Sequence, residues 1–185
     1  MDTPHHRHET EILLQRARIL AQPEKREEDL GESIEVLSFL LNGERYGVCM
    51  DYVKEVTLLR SLTTLPGTPD FILGVMSIRG RVVSITDLRV FFHMPRKGLS
   101  DYNKIIVLSG EEMEFAILAD HVEGVARYYI RKLSPPPEIF NGIGKEFLTG
   151  IFPGPLIMLN AKAILSHPYL VVTRADRKIK NKADV

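Results

Sequence analysis

Ile78-Arg79-Gly80-Arg81 joins two apolar runs, Phe71 to Ile78 and Val82 to Phe92, so a guanidinium stands beside a glycine at a turn. With Glu55 upstream and Asp87 downstream, the chemistry on offer is charge-assisted recognition or acid–base work. Other reactive types are poorly placed for catalysis. His5, His6 and His8 cluster in a polar N-terminus without the Cys or acidic partners that a metal site adds, and a solvated tail accounts for them. His93, His121 and His167 have no partner at ligand spacing. Cys49, the single cysteine, lies in an apolar run without an adjacent base and reads as a small core residue. The run from Gly142 to Glu146 lacks the Ser or Thr after the lysine and the strand–helix setting of a phosphate loop. No Gly-x-Ser-x-Gly elbow occurs. This reading assigns no catalytic residue, metal or cofactor.

Composition narrows the class further. The chain has 185 residues, 44% hydrophobic and 26% charged, an ordinary globular balance. Its formal net charge of zero lacks the positive excess that phosphate neutralisation demands, so nucleic acid is not an expected partner. One cysteine allows no internal disulfide. No apolar stretch approaches the roughly 20 residues of a membrane span, and the N-terminus lacks a signal-peptide core. A cytoplasmic protein with no direct membrane insertion is expected.

The elements that must position the charged residues are mostly strands. Residues 1–32 form an extension: Ile12, Leu13, Ala17, Ile19 and Leu20 predict a short amphipathic helix over about 8–21, ended by Pro23, and a charged linker follows. Residues 171–185 form a polar, basic tail. Between them, short apolar runs meet at Asn42-Gly43 and Ser109-Gly110, both hairpin signals. Closely spaced turns favour small barrels over a parallel sheet. Two short helices are predicted, one capped by Asp87 and one by Asn160.

The chain also repeats itself. Tyr46, Val48, Asp51, Val53 and Val56 recur 69 positions later as Phe115, Ile117, Asp120, Val122 and Val125. Phe71, Gly74 and Val75 match Phe147, Gly150 and Ile151, and Asp87 answers to Asn160. Two related units are predicted, about 33–97 and 98–170, each a small curved barrel, with room for exchange of segments between them. A shared residue serves the fold, so Asp51 and Asp120 read as turn residues and Asp87 as a cap. Glu55 answers to Gly124, and Arg79-Gly80 to Pro153-Gly154. The scaffold therefore does not demand Glu55 or Arg79. They could be a solvated ion pair, or a recognition point among the apolar Val53, Val56 and the Leu58–Pro66 run. Such a surface suits the apolar face of a partner helix.

The stretch "GVMSIRGRVVSITDLRVFF" resembles the signature of the CheW family of chemotaxis coupling proteins. "YGVCMDYVKEV", "TLPGTPDFILGV" and "LADHVEGV" resemble further family blocks, in order, over about 33–170. Ser77 and Ser84 depart from the family's usual Asn and Pro. The resemblance implies a mainly β fold of two interlocked five-stranded, SH3-like barrels with a groove between them, and no catalysis. It implies a free-standing adaptor with two partners: the chemoreceptor cytoplasmic tip and the regulatory domain of the histidine kinase CheA. The expected location is the cytoplasm, recruited to membrane-associated receptor arrays. Carried over by position, Val53, Glu55 and Arg79 match receptor-contact or signalling positions, and Gly74 a position where a small residue matters. Val56 and Gly80 complete the expected receptor-binding set; kinase-contact residues are not assigned. An equivalent module in another motility or gene-control pathway is the competing expectation, and an enzyme the remote one.

Overall fold

The structure is a computed structural model and describes residues 31–100, 102–111, 113–137, 144–167 and 170. The expected helix at 8–21 and the C-terminal tail lie outside the described residues. The architecture is mainly β. The strands are β1 (Ser33–Leu41), β2 (Glu44–Cys49), β3 (Val53–Leu58), β4 (Ile72–Ile78), β5 (Arg81–Thr86), β6 (Lys104–Ser109), β7 (Glu114–Ala119), β8 (His121–Tyr129), β9 (Leu148–Phe152) and β10 (Leu156–Leu159). Two short helices join them, α1 (Leu88–Phe91) and α2 (Ala161–Ser166).

The strands form two five-stranded sheets, ordered β3-β6-β7-β5-β4 and β8-β1-β2-β10-β9. Each sheet curls back on itself. Thr63, beyond β3, bridges to Val75 on β4, and Ser134, beyond β8, bridges to Ile151 on β9. These bridges close two small barrels. Each barrel takes a hairpin from the other half of the chain: β6–β7 completes the barrel of β3–β5, and β1–β2 completes that of β8–β10. A division near 97/98 therefore cuts through both barrels.

Exchange explains a feature of the sequence. Half-exposed strands alternate apolar and polar residues, but "KIIVLS" and "EFAILA" are almost continuously apolar. On β6, Ile105 and Val107 fill one barrel core, while Ile106 and Leu108 point into a larger core between the barrels. On β7, Ala116 and Leu118 face the barrel and Phe115, Ile117 and Ala119 the shared core. β1 behaves alike, with Val36 in its own barrel and Leu37, Phe39 and Leu41 in the shared core. Both faces of β6–β7 are buried, which is why its strands are almost continuously apolar, while β1 carries one buried polar side chain, Ser38, whose hydroxyl donates to the Gly124 carbonyl at 3.1 Å.

The turns follow local chemistry. Asn42 (φ 52) and Gly43 (φ 85) form the two-residue turn with positive φ at both positions that matches strand twist. The second hairpin is looser than its Ser109-Gly110 signal suggests. Its strands end at Ser109 and restart at Glu114, and the Gly110 N–H donates to the Met113 carbonyl at 2.8 Å. Both expected caps form: the Arg89 N–H donates to Asp87 Oδ1 at 3.0 Å, and the Ala163 N–H to Asn160 Oδ1 at 3.1 Å. The repeat extends to the backbone, where the Asp87 N–H meets the Phe71 carbonyl and the Asn160 N–H the Phe147 carbonyl. Cys49 corrects its core reading. It is half-buried at the end of β2, outside the core clusters, and burial pushes its thiol pKa up.

Candidate functional site

The β4–β5 turn is built like the Asn42-Gly43 turn, with Arg79 at φ 48 and Gly80 at φ 79. Asn is among the non-glycine residues that visit this left-handed backbone most readily, whereas Arg is not. The Arg79 side chain is 81% exposed. Its Nε lies 3.2 Å from Glu55 Oε2 on β3. Glu55 is itself only 15% exposed, and its other oxygen accepts from Arg81 Nη2 at 2.8 Å. Arg81 also donates to Glu114 at the start of β7, and Lys54 donates to the same carboxylate. A charged chain thus runs Arg79–Glu55–Arg81–Glu114–Lys54 across three strands and a turn.

A bulge makes this geometry. Val53 pairs with Leu108 and Glu55 with Val107, which leaves Lys54 as an extra residue on β3. Bulges re-aim side chains, and here both Lys54 and Glu55 join one cluster although they are consecutive. Val53 packs against the shared core, whereas Val56 and Leu58 are 38% and 37% exposed on the same strand. Val82, beside Arg81, is 73% exposed.

Of the residues expected in the site, Glu55, Arg79 and Gly80 come together, and Val53 and Val56 flank them on β3. Gly74 has a different setting. A Cβ built there would stand 2.2 Å from the Thr63 carbonyl oxygen, at the bridge that closes the barrel. Its counterpart Gly150 would place a Cβ 2.4 Å from the Ser134 carbonyl oxygen, at the equivalent closure. Sequence reasoning missed Arg81, Glu114 and Lys54. Arg81 adjoins the turn, but its link to Glu55 and Glu114 depends on how β5, β7 and β3 are laid side by side.

The second barrel lacks this site. Gly124 replaces Glu55, and the β9–β10 turn carries Pro153-Gly154. Arg45 and Glu123, the counterparts of Glu114 and Lys54, form an ion pair of reversed polarity at 2.9 Å, and Arg45 Nη1 donates to the Gly154 carbonyl. Among the described residues no group of three or more His, Cys, Asp or Glu could hold a metal ion.

Comparison with known proteins places the chain in one family. A family model described as the CheW-like domain matches residues 35–168. The chain belongs to this family. The chemotaxis protein CheW of Klebsiella aerogenes is 34% identical over 123 residues, 65% of this chain and 74% of that protein. Protein FrzA of Myxococcus xanthus is 32% identical over 117 residues, 63% of this chain and 72% of that protein. The crystal structure of the scaffolding protein TtCheW from Thermoanaerobacter tengcongensis superposes with a TM-score of 0.63 at 27% identity, covering 69% of this chain and 89% of that one. The CheW family is one of non-catalytic scaffolds that couple chemoreceptors to the kinase CheA, and this member is a chemotaxis signal-transduction adaptor.

Proposed function

We propose that this chain joins the cytoplasmic tip of a chemoreceptor to the regulatory domain of CheA, without catalysis of its own, in the cytoplasm at membrane-associated receptor arrays. Among the described residues no helix is long and apolar enough to cross a membrane. The receptor tip docks on β3 and the β4–β5 turn, with Val53, Glu55, Val56, Gly74, Arg79 and Gly80 as the receptor-binding or signalling positions, Gly74 acting at the bridge that closes this barrel.

One observation carries the assignment of the docking point. Arg79 is exposed at a backbone conformation that disfavours it, while Glu55 is already held by Arg81. The fold gains little from an exposed pair of this kind, about 0–1 kcal/mol. Arg79 can therefore leave Glu55 for a carboxylate on a partner without leaving Glu55 unpaired. Burying that exchange among Val53 and Val56 makes it strong, since truncating a buried charged contact costs about 2–5 kcal/mol of binding.

Titration of a receptor-tip fragment into Arg79→Ala and Glu55→Ala variants, with thermal melting of the same samples, tests this. The expected result is receptor affinity reduced at least about tenfold, with Arg79→Ala moving stability by less than ~1 kcal/mol. Unchanged receptor affinity would refute the docking point.

A further inference from the structure

Arg89 is completely buried, although it is charged. Its Nε and Nη2 hold the two oxygens of Asp87 at 2.9 and 2.8 Å, and its Nη1 reaches Asp120 Oδ1 at 3.0 Å. Hydrogen bonding to Asp87 raises the pKa of the guanidinium further, so it stays charged. Asp120 lies on the link that carries the chain from β7 in one barrel to β8 in the other. Its second oxygen accepts from the Asn42 N–H at 2.9 Å, in the β1–β2 turn of that other barrel. Lys97 Nζ, 3.5 Å from the same oxygen, balances the remaining negative charge. Asn103 Nδ2 lies 3.5 Å from Asp120 Oδ1, and Asn42 Nδ2 donates to the Pro95 carbonyl at 2.7 Å. The cluster thus ties α1, which follows β5 of one barrel, to a turn of the other.

The repeat shows what the fold can do without. At the equivalent corner Asn160 stands for Asp87, Lys162 for Arg89 and Asp51 for Asp120. Lys162 and Asp51 are both exposed, and Asn160 caps α2 alone. That corner closes with no buried charge. Taking ions out of water is costly, and replacing a buried ion cluster by apolar residues is often neutral or stabilising, so stability alone does not account for the cluster.

We propose that Arg89 is a positioning residue: with Asp87 and Asp120 it latches the two barrels at one mutual orientation. The shared core between the barrels is apolar and non-directional, and could be repacked at neighbouring angles. The fork of Arg89 is directional, because it must meet two carboxylates from separate segments at once. Only one orientation satisfies it.

Spin labels at Val82→Cys on β5 and Thr149→Cys on β9, in the full chain with Cys49→Ala, report the distance between barrels. The triple variant Asp87→Asn, Arg89→Met, Asp120→Asn removes every charge of the latch. It should melt cooperatively but give a broadened or shifted distance distribution. Arg89→Lys, which keeps the charge and loses the fork, provides a milder variant should the triple one fail to fold. It should broaden the distribution in the same sense. Lys162→Met at the equivalent corner should leave it unchanged. An unaltered distribution in every variant that folds would overturn the proposal, as would equal broadening by Lys162→Met.

Discussion

At the scale of single residues, the site separates charges that hold the protein together from charges it can spare. Arg81 bridges Glu55 and Glu114, both largely buried, whereas the mostly exposed Arg79 pairs, among the described residues, with Glu55. Removing Arg81 leaves two carboxylates short of a partner, and an under-satisfied buried group costs about 1–3 kcal/mol. Arg81→Ala should therefore lower the melting temperature clearly more than Arg79→Ala. Equal shifts in calorimetry would show that the two arginines play the same part. Cys49 yields a second residue-level prediction. Its thiol pKa is raised, chiefly by burial, so less thiolate is present at mildly alkaline pH than in an unfolded chain. Aromatic disulfide reagents should label the native protein more slowly than the denatured one, and the native rate should climb with pH. Labelling at the denatured rate would contradict this.

At the scale of elements, the two barrels close by the same device. A strand glycine lets the backbone of a distant segment approach to make one bridge, Thr63 to Val75 in one case and Ser134 to Ile151 in the other. Gly74 also has φ +148, which disfavours any side chain. Gly74→Ala forces the bridge apart, and overpacking of this kind costs roughly 2–4 kcal/mol. Gly150→Ala should also be destabilising, because it opens the matching closure. Denaturant unfolding of both variants checks the pair. Loss of receptor binding in Gly74→Ala at unchanged stability would instead make Gly74 a direct contact.

At the scale of the whole molecule, hairpin exchange makes the halves interdependent. A fragment ending near residue 97 keeps β1–β2 but loses the barrel they complete, and keeps β3–β5 but loses β6–β7. It exposes the inner faces of both hairpin sites, including Phe39, Leu41, Ile85 and Leu88, all of which are fully buried in the chain. A unit of that size has little apolar surface to spare. The fragment 1–97 should show no cooperative melting alone, and should gain it on mixing with 98–185. Cooperative melting of either fragment by itself would show that one barrel is self-sufficient.

What the sequence determined by itself is what nearest neighbours decide. Asn42-Gly43 adopts positive φ through local backbone sterics, Asp87 and Asn160 cap through bonds two or three residues away, and Gly80 permits the turn that presents Arg79. The repeat added more, since a residue with no counterpart, such as Glu55, is not demanded by the features the two halves share. What the tertiary structure decided is pairing across distance. The continuous apolar runs of β6 and β7 reveal burial on both faces, but not which barrel covers each face. Arg81 and Glu114 are 33 residues apart and meet through strand packing. Asp120 shares its turn position with Asp51, yet only Asp120 faces a buried guanidinium, because α1 of one barrel and the β1–β2 turn of the other converge there. Nothing in the local sequence singles out Arg89. Two carboxylates, brought in by the cap and by the crossover between barrels, are what make its complete burial tolerable.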